Sequence, residues 1–240
     1  MSDNRYPFRW SDPEDPYLGE LRAAYALGEV AGEGSDHERA RSLTRWVSSR
    51  WSHDGSNLPE RSDPLSILRE AERGRSFRCV EYATVLAGVL CAVGIPARLV
   101  TLMTADVETR EGGAAHAVTE AFLPDRGAWV MLDAQWGTVP TLRGEPISAA
   151  GLRDALIRRE QQGNAGPLPR YLAWVAPHLH YLEAPLDNRI PAAADRDPRR
   201  LMLVPPGAPE PRVFQRRWAM EDLLYTRFEA DFYPRPAQPA

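Results

Sequence analysis

The N-terminal part of the chain repeats its apolar positions at helical intervals. From Pro16 to Val30, the residues Leu18, Leu21, Ala24, Tyr25 and Leu27 fall on one face, which predicts a first helix. "GEGSDHERARSLTRWVSSRW" supplies a Ser-Asp cap and a second helix, with Leu43, Trp46, Val47 and Trp51 as its buried stripe. "HDGSNLPERS" reads as a loop. In "SDPLSILREAERG", Asp63 caps a third helix, Pro64 takes its first position, Leu65, Ile67 and Leu68 bury, and Gly74 stops it. The next segment, Cys79 to Val93, is apolar or aromatic on all faces apart from Glu81, Thr84 and Gly88, and ends at Gly94 with Ile95-Pro96 beyond. Such a pattern predicts a helix in the middle of a core.

After Pro96 the period changes. "ARLVTLMTAD" (97–105), "HAVTEAFL" (116–123) and "WVMLDAQW" (129–136) are strand-like by length, β-branched content and partial alternation, and "PDRG" joins the last two as a four-residue hairpin loop. That loop pairs Leu123 with Ala128, Phe122 with Trp129 and Val118 with Asp133. His116 and Asp133 then share a sheet face as diagonal neighbours, and a one-residue slip would separate them. Helices first and an antiparallel sheet second give an α+β class, with the Cys79 helix packed on the sheet. "SAAGLRDALIRREQQG" predicts one more helix from Ser148, and the proline-rich remainder reads as extended segments and turns docked on the core. We expect one domain over 1–240, with a helix at 16–30, a core at about 36–145 and an extension at 146–240.

Composition narrows the function classes. A net charge of -4 provides no basic field for nucleic acid, and no stretch approaches the length of a membrane span. The first residues carry no apolar run of signal-peptide type, and two cysteines do not make a secreted disulfide scaffold, so a soluble cytoplasmic protein is expected. All 29 basic residues are Arg.

Cys79 stands where its helix begins. A helix N-terminus presents unpaired N–H groups and partial positive charge, and both favour thiolate over thiol. A nucleophilic thiol also needs a base, and the base a third group to orient it. His116 and Asp133 are the residues that the hairpin register brings together. "FRCVEYATVLAGVLCAVGIPARLV", "HAVTEAFLPDRGAWVMLD" and the order Cys79, His116, Asp133 resemble the transglutaminase-like superfamily of cysteine enzymes over about Leu43 to Trp136. "WSHDGSN" and "DAQW" are similar to one bacterial branch of it. Val118 departs from the pattern, since many members carry an aromatic residue two positions after the histidine.

The resemblance implies a transglutaminase-like fold and a Cys79–His116–Asp133 triad that forms a thioester acyl-enzyme from an amide or ester, without a cofactor. The substrate would be a peptide, a protein or a small molecule, with water or an amine as acceptor. Hydrolysis, or a small-molecule or peptide acyl transfer, is expected over protein crosslinking, and the chain itself offers no lysine as acceptor. The Cys79 backbone N–H is one oxyanion donor, and Trp51 and then Asn57 are the side-chain candidates for a second. His53, Arg78 and Gln135 are candidates for substrate contact. Cys91 reads as packing, and "PHLHY" with Glu183 lacks an accepted metal spacing, so no metal is expected. The competing reading is a binding or scaffold module on the same fold without activity.

Overall fold

Asp15 caps the first helix and Asp63 the fourth, and one tyrosine ties them together. The computed structural model describes residues 5–162 and 168–236, so 163–167 and 237–240, inside the expected extension, lie outside the described residues. Helix α1 (Pro16–Ala24) is followed by a separate short α2 (Leu27–Ala31). The single helix expected over this stretch is broken at Ala26, whose φ of 46° is left-handed. The break turns Leu27 fully inward and sets Tyr25 edge-on to Trp46, with ring centroids 5.6 Å apart. Left-handed backbone is signalled in sequence by glycine, and an alanine gives no such warning.

The predicted caps are in place. Ser35 and Glu38 form a capping box at the start of α3 (Asp36–Ser48), and Asp63 accepts from Ser66 N–H (3.0 Å) at the start of α4 (Pro64–Glu72). Tyr17 on α1 donates its hydroxyl to Asp63 (2.7 Å) and accepts from Leu65 N–H (3.0 Å), so α1 and α4 share one polar staple. Leu43 and Val47 of α3 are buried, while Trp46 lies half-buried under the Arg50 guanidinium.

Helix α5 (Cys79–Ala92) is buried from Glu81 to its end except at Thr84. Gly88 lets it approach α4, since a Cβ there would lie 2.5 Å from Pro64 Cγ. The chain then enters β1 (Ala97–Met103), β2 (Ala115–Leu123) and β3 (Ala128–Leu132). The hairpin has the expected register, Leu123 opposite Ala128 and Phe122 opposite Trp129. The last strand is shorter than expected, because the chain turns from Asp133 to Thr138, whose backbones pair with each other.

The C-terminal part adds α6 (Ala149–Gln161), α7 (Arg170–Val175), β4 (Tyr181–Pro185), β5 (Arg200–Leu203), β6 (Leu223–Thr226) and α8 (Glu229–Phe232). The six strands form one sheet in the order β6-β5-β4-β1-β2-β3. The sheet is mixed, since β5 and β6 run parallel while every other pairing is antiparallel. Ala97, Ala121 and Leu123 join the α5 core, and Val100, Leu102, Val118 and Met131 pack with residues of α6 and α7 in a second cluster. The class is α+β.

A buried ion pair fastens the C-terminal part to this sheet. Arg98 Nη2 meets Glu120 Oε2 at 2.9 Å with both side chains fully buried, and Arg98 also donates to Phe232 O (2.7 Å). The other Glu120 oxygen accepts from Ala149 N–H and the Tyr233 hydroxyl, both at 2.9 Å. Removing one member would strand a buried charge, at a cost of about 3–5 kcal/mol. Among the described residues no helix is long and apolar enough to cross a membrane.

Candidate active site

Cys79 is the first residue of α5, half-buried. The Glu81 carboxylate folds back onto the Arg78 N–H (3.1 Å) and grips its guanidinium (Nη2–Oε1 2.7 Å). This pins the turn that presents the thiol. It also occupies Arg78, which the sequence offered as a substrate contact.

His116 lies on β2 opposite Leu102, and the neighbouring strand ends so that Asp133 reaches it. His116 Nε2 and Asp133 Oδ2 are 2.8 Å apart, both buried. The remaining ring nitrogen, Nδ1, is the one left for Cys79, whose thiol lies within hydrogen-bonding reach of the ring. Burial opposes ionisation of the thiol. The hydrogen bond from His116, the Ala117 N–H and the imidazolium charge outweigh it and hold the Cys79 pKa below the ordinary value, although Asp133 acts the other way. Burial likewise disfavours the imidazolium, yet the bonds to Asp133 and Cys79 push His116 up to about 9. Below that pH the arrangement favours an imidazolium between a carboxylate and a thiol of lowered pKa.

Helix α7 closes the site from the far side, although the sequence suggested extended backbone there. The pattern Tyr171, Leu172, Val175 after Pro169 was the available helical signal. Tyr171 donates its hydroxyl to Asp133 Oδ2 (3.1 Å), the same oxygen that faces His116, and burial pushes the phenol pKa far upward. Trp174 stands edge-on to His116 at 4.7 Å between centroids and tilts against Trp136 at 5.0 Å. Asp133 Oδ1 accepts from Trp136 N–H at 3.3 Å. His178 packs on Trp174, 6.4 Å from His116, and burial followed by the His116 charge lowers its pKa.

The other sequence candidates divide. Trp51 packs on Phe77 (5.8 Å) and Tyr82 (4.4 Å), two residues before and three after Cys79, and its indole N–H is buried without a partner among the described residues. Asn57 is otherwise engaged, because its amide group donates to Asp54 (3.3 Å) and Ser76 O (3.0 Å). His53 is exposed on the loop that runs beside Phe77. Gln135 follows Asp133 in the turn, with Oε1 buried and unpartnered among the described residues. His178, His180 and Glu183 do not converge, and among the described residues no group of three His, Cys, Asp or Glu could hold a metal.

Residues 23–134 match the family model of the transglutaminase-like superfamily, a span that contains Cys79, His116 and Asp133. Over that segment the chain is similar to the transglutaminase-like superfamily. Solved structures similar to this chain include a proposed cysteine protease from Cytophaga hutchinsonii, at 19% identity over 50% of this chain and 40% of that one, with a TM-score of 0.39. The periplasmic domain of TgpA from Pseudomonas aeruginosa is 26% identical over 51% of this chain and 43% of that one (TM-score 0.32). Red sea bream transglutaminase is 16% identical over 76% of this chain and 32% of that one (TM-score 0.38). The chain thus spans less than half the length of each. No curated protein matches it. The superfamily typically includes cysteine-dependent enzymes; Tyr171 and Trp174 lie outside the matched span.

Proposed function

We propose that the chain is a cysteine-dependent acyl hydrolase or acyl transferase acting on amides or esters through a thioester, with Cys79, His116 and Asp133 as its triad. The observation that carries this reading is the hydrogen-bonded series Cys79–His116–Asp133 with the His116 pKa raised to about 9 and the Cys79 thiol lowered. The Cys79 thiolate attacks the acyl carbon, and the oxyanion receives the Cys79 N–H at the helix end and the unpartnered Trp51 indole N–H. The imidazolium then gives a proton to the leaving amine or alcohol. Neutral His116 takes a proton from the incoming water, which opens the thioester to acid and free thiol. Asp133 holds the ring, and Tyr171 holds Asp133 as a positioning residue.

We favour water over a protein amine as acceptor, as for a peptide or small-molecule substrate, and place the activity in the cytoplasm. The test incubates wild type and Cys79→Ala with a glutamine-bearing peptide or an activated ester, with and without a lysine-rich protein. Acid or ammonia release that depends on Cys79 supports hydrolysis, and amine incorporation exceeding acid release overturns that preference. Substrate loss at the wild-type rate in Cys79→Ala refutes the enzymatic reading for that substrate. Equal, sluggish alkylation of both thiols would favour the scaffold module.

A further inference from the structure

A second polar feature lies on the sheet face that carries α5, two strands from the nucleophile. Ala117, whose N–H reaches the Cys79 sulfur, sits opposite Thr101, and Thr101 sits opposite Glu183 on β4. Strand spacing puts Glu183 about 10 Å from Ala117 across the sheet. Glu183 is 6% exposed, and its carboxylate accepts no hydrogen bond among the described residues. Its charged neighbour is Arg200, with Nε 3.7 Å away, too far for a hydrogen bond, and held through Nη2 on Glu221 O (2.8 Å). The mostly buried carboxylate therefore turns its oxygens to the cleft with Arg200 as its charged neighbour, and a donor from a ligand can reach them there.

The space above it is an open cleft with an aromatic wall. Thr101, Glu183 and Arg200 floor a cleft of about 270 Å³ whose wall is the hairpin bearing Phe214, Trp218 and Met220. Trp218 is 54% exposed, and its ring already receives a cation, Arg217, at 6.0 Å from the centroid. The hairpin turns through two consecutive left-handed residues, Gln215 (φ 51°) and Arg216 (φ 60°), neither of them glycine. Such backbone persists only where its surroundings hold it. Here Gln215 N–H bonds to Val107 O and Arg216 N–H to Glu108 O. Nothing in the triad uses this wall or this carboxylate.

We propose that the Glu183 cleft is a substrate subsite for a cationic group, an ammonium or guanidinium, carried by the molecule whose acyl carbon meets Cys79. The cation gives Glu183 hydrogen-bond donors and lies against the Trp218 and Phe214 rings without displacing Arg200. This rests on the acyl-transfer reading of Cys79, and it restricts the substrate class to amides or esters with a positive charge about 10 Å or more from the reacting carbon.

The test compares three iodoacetamides on one flexible linker of about 10–15 Å, ending in a guanidinium, a neutral or a carboxylate group. With wild type, the cationic reagent should alkylate Cys79 about tenfold faster than the neutral one, since a hydrogen-bonded or ion-paired charge is typically worth that much. Glu183→Gln should abolish the preference while leaving the rate with plain iodoacetamide unchanged. Trp218→Ala, at a position 54% exposed, should reduce it by a smaller factor. No preference in wild type, preference for the carboxylate reagent, or a preference that survives Glu183→Gln overturns the subsite. Should Cys79 react with none of the reagents, the acyl-transfer reading falls separately. The subsite is then decided by calorimetry with the unreactive acetamide of the cationic linker: binding lost in Glu183→Gln upholds it, and absence of binding overturns it.

Discussion

Helix α5 carries a thiol near each end, and the two have opposite chemistry. Cys79 opens the helix, half-buried beside His116 and the Ala117 N–H, with its pKa held down. Cys91 lies twelve residues on, 5% exposed, with Sγ 3.7 Å from Ala97 O, and burial pushes it up to about 11. Both sit on one helix, and burial opposes the thiolate at each. What differs is the end of the helix dipole and the presence of a cation, so burial alone decides the chemistry only where no partner opposes it. A buried cysteine is inert by default, and the imidazole beside Cys79 is what separates its pKa from that of Cys91.

The largest contrast should appear when each thiol is removed. Cys79→Ala should abolish acyl turnover and the fast alkylation, whereas Cys91→Ala should keep both and lose roughly 1 kcal/mol of stability for the missing buried sulfur. Turnover surviving in Cys79→Ala, or lost in Cys91→Ala, would reverse the assignment. Next in size is His116→Ala. Turnover should fall about 10²- to 10⁴-fold, and the alkylation profile of Cys79 should move towards the free-thiol value of about 8.5. An unmoved profile would mean that the pair with His116 does not form.

Tyr171→Phe removes one donor from Asp133 and should slow turnover by about threefold to tenfold, the worth of one hydrogen bond. With Tyr171 gone, Asp133 is a stronger acceptor for the imidazolium, so the His116 pKa should rise further, read by NMR of the ring. A fall in that pKa would show that Tyr171 does not act on the carboxylate. Smaller still is a stability effect with a defined sign. His116 has a folded pKa of about 9, above its unfolded value of about 6.5. Its stabilisation is therefore fully present below about pH 6.5 and lost as pH rises through about 9. Urea melts of wild type and His116→Gln should differ most in mild acid and converge in alkali, and a gap that does not change with pH would contradict the linkage.

What was legible in the sequence was local. Ser35 with Glu38, Asp63 with Pro64, Gly94 after α5 and the Pro124-to-Gly127 hairpin each obey rules that act within a few residues, and the register they set is what brings His116 to Asp133. The failures are of another kind. Ala26 takes a left-handed turn because Leu27 must enter the core, a tertiary demand that no local residue announces. Tyr171 and Trp174 reach the site from about forty residues beyond Asp133, and only the folded chain brings α7 over the imidazole. Glu183 drew notice beside His178 and His180 as a possible metal set, but it lies on β4 beside Arg200 while His178 packs on Trp174.

The most direct measurement of the central claim follows both thiols at once: the rate of iodoacetamide alkylation of Cys79 and Cys91 in native protein from about pH 5 to pH 10, read by mass spectrometry of the two peptides. Cys79 should react well below the free-thiol midpoint of about 8.5 and persist into mild acid, while Cys91 stays unmodified throughout. Two superimposed curves, or a Cys79 midpoint at or above that of a free thiol, would contradict the activation of Cys79 by His116 and the helix end.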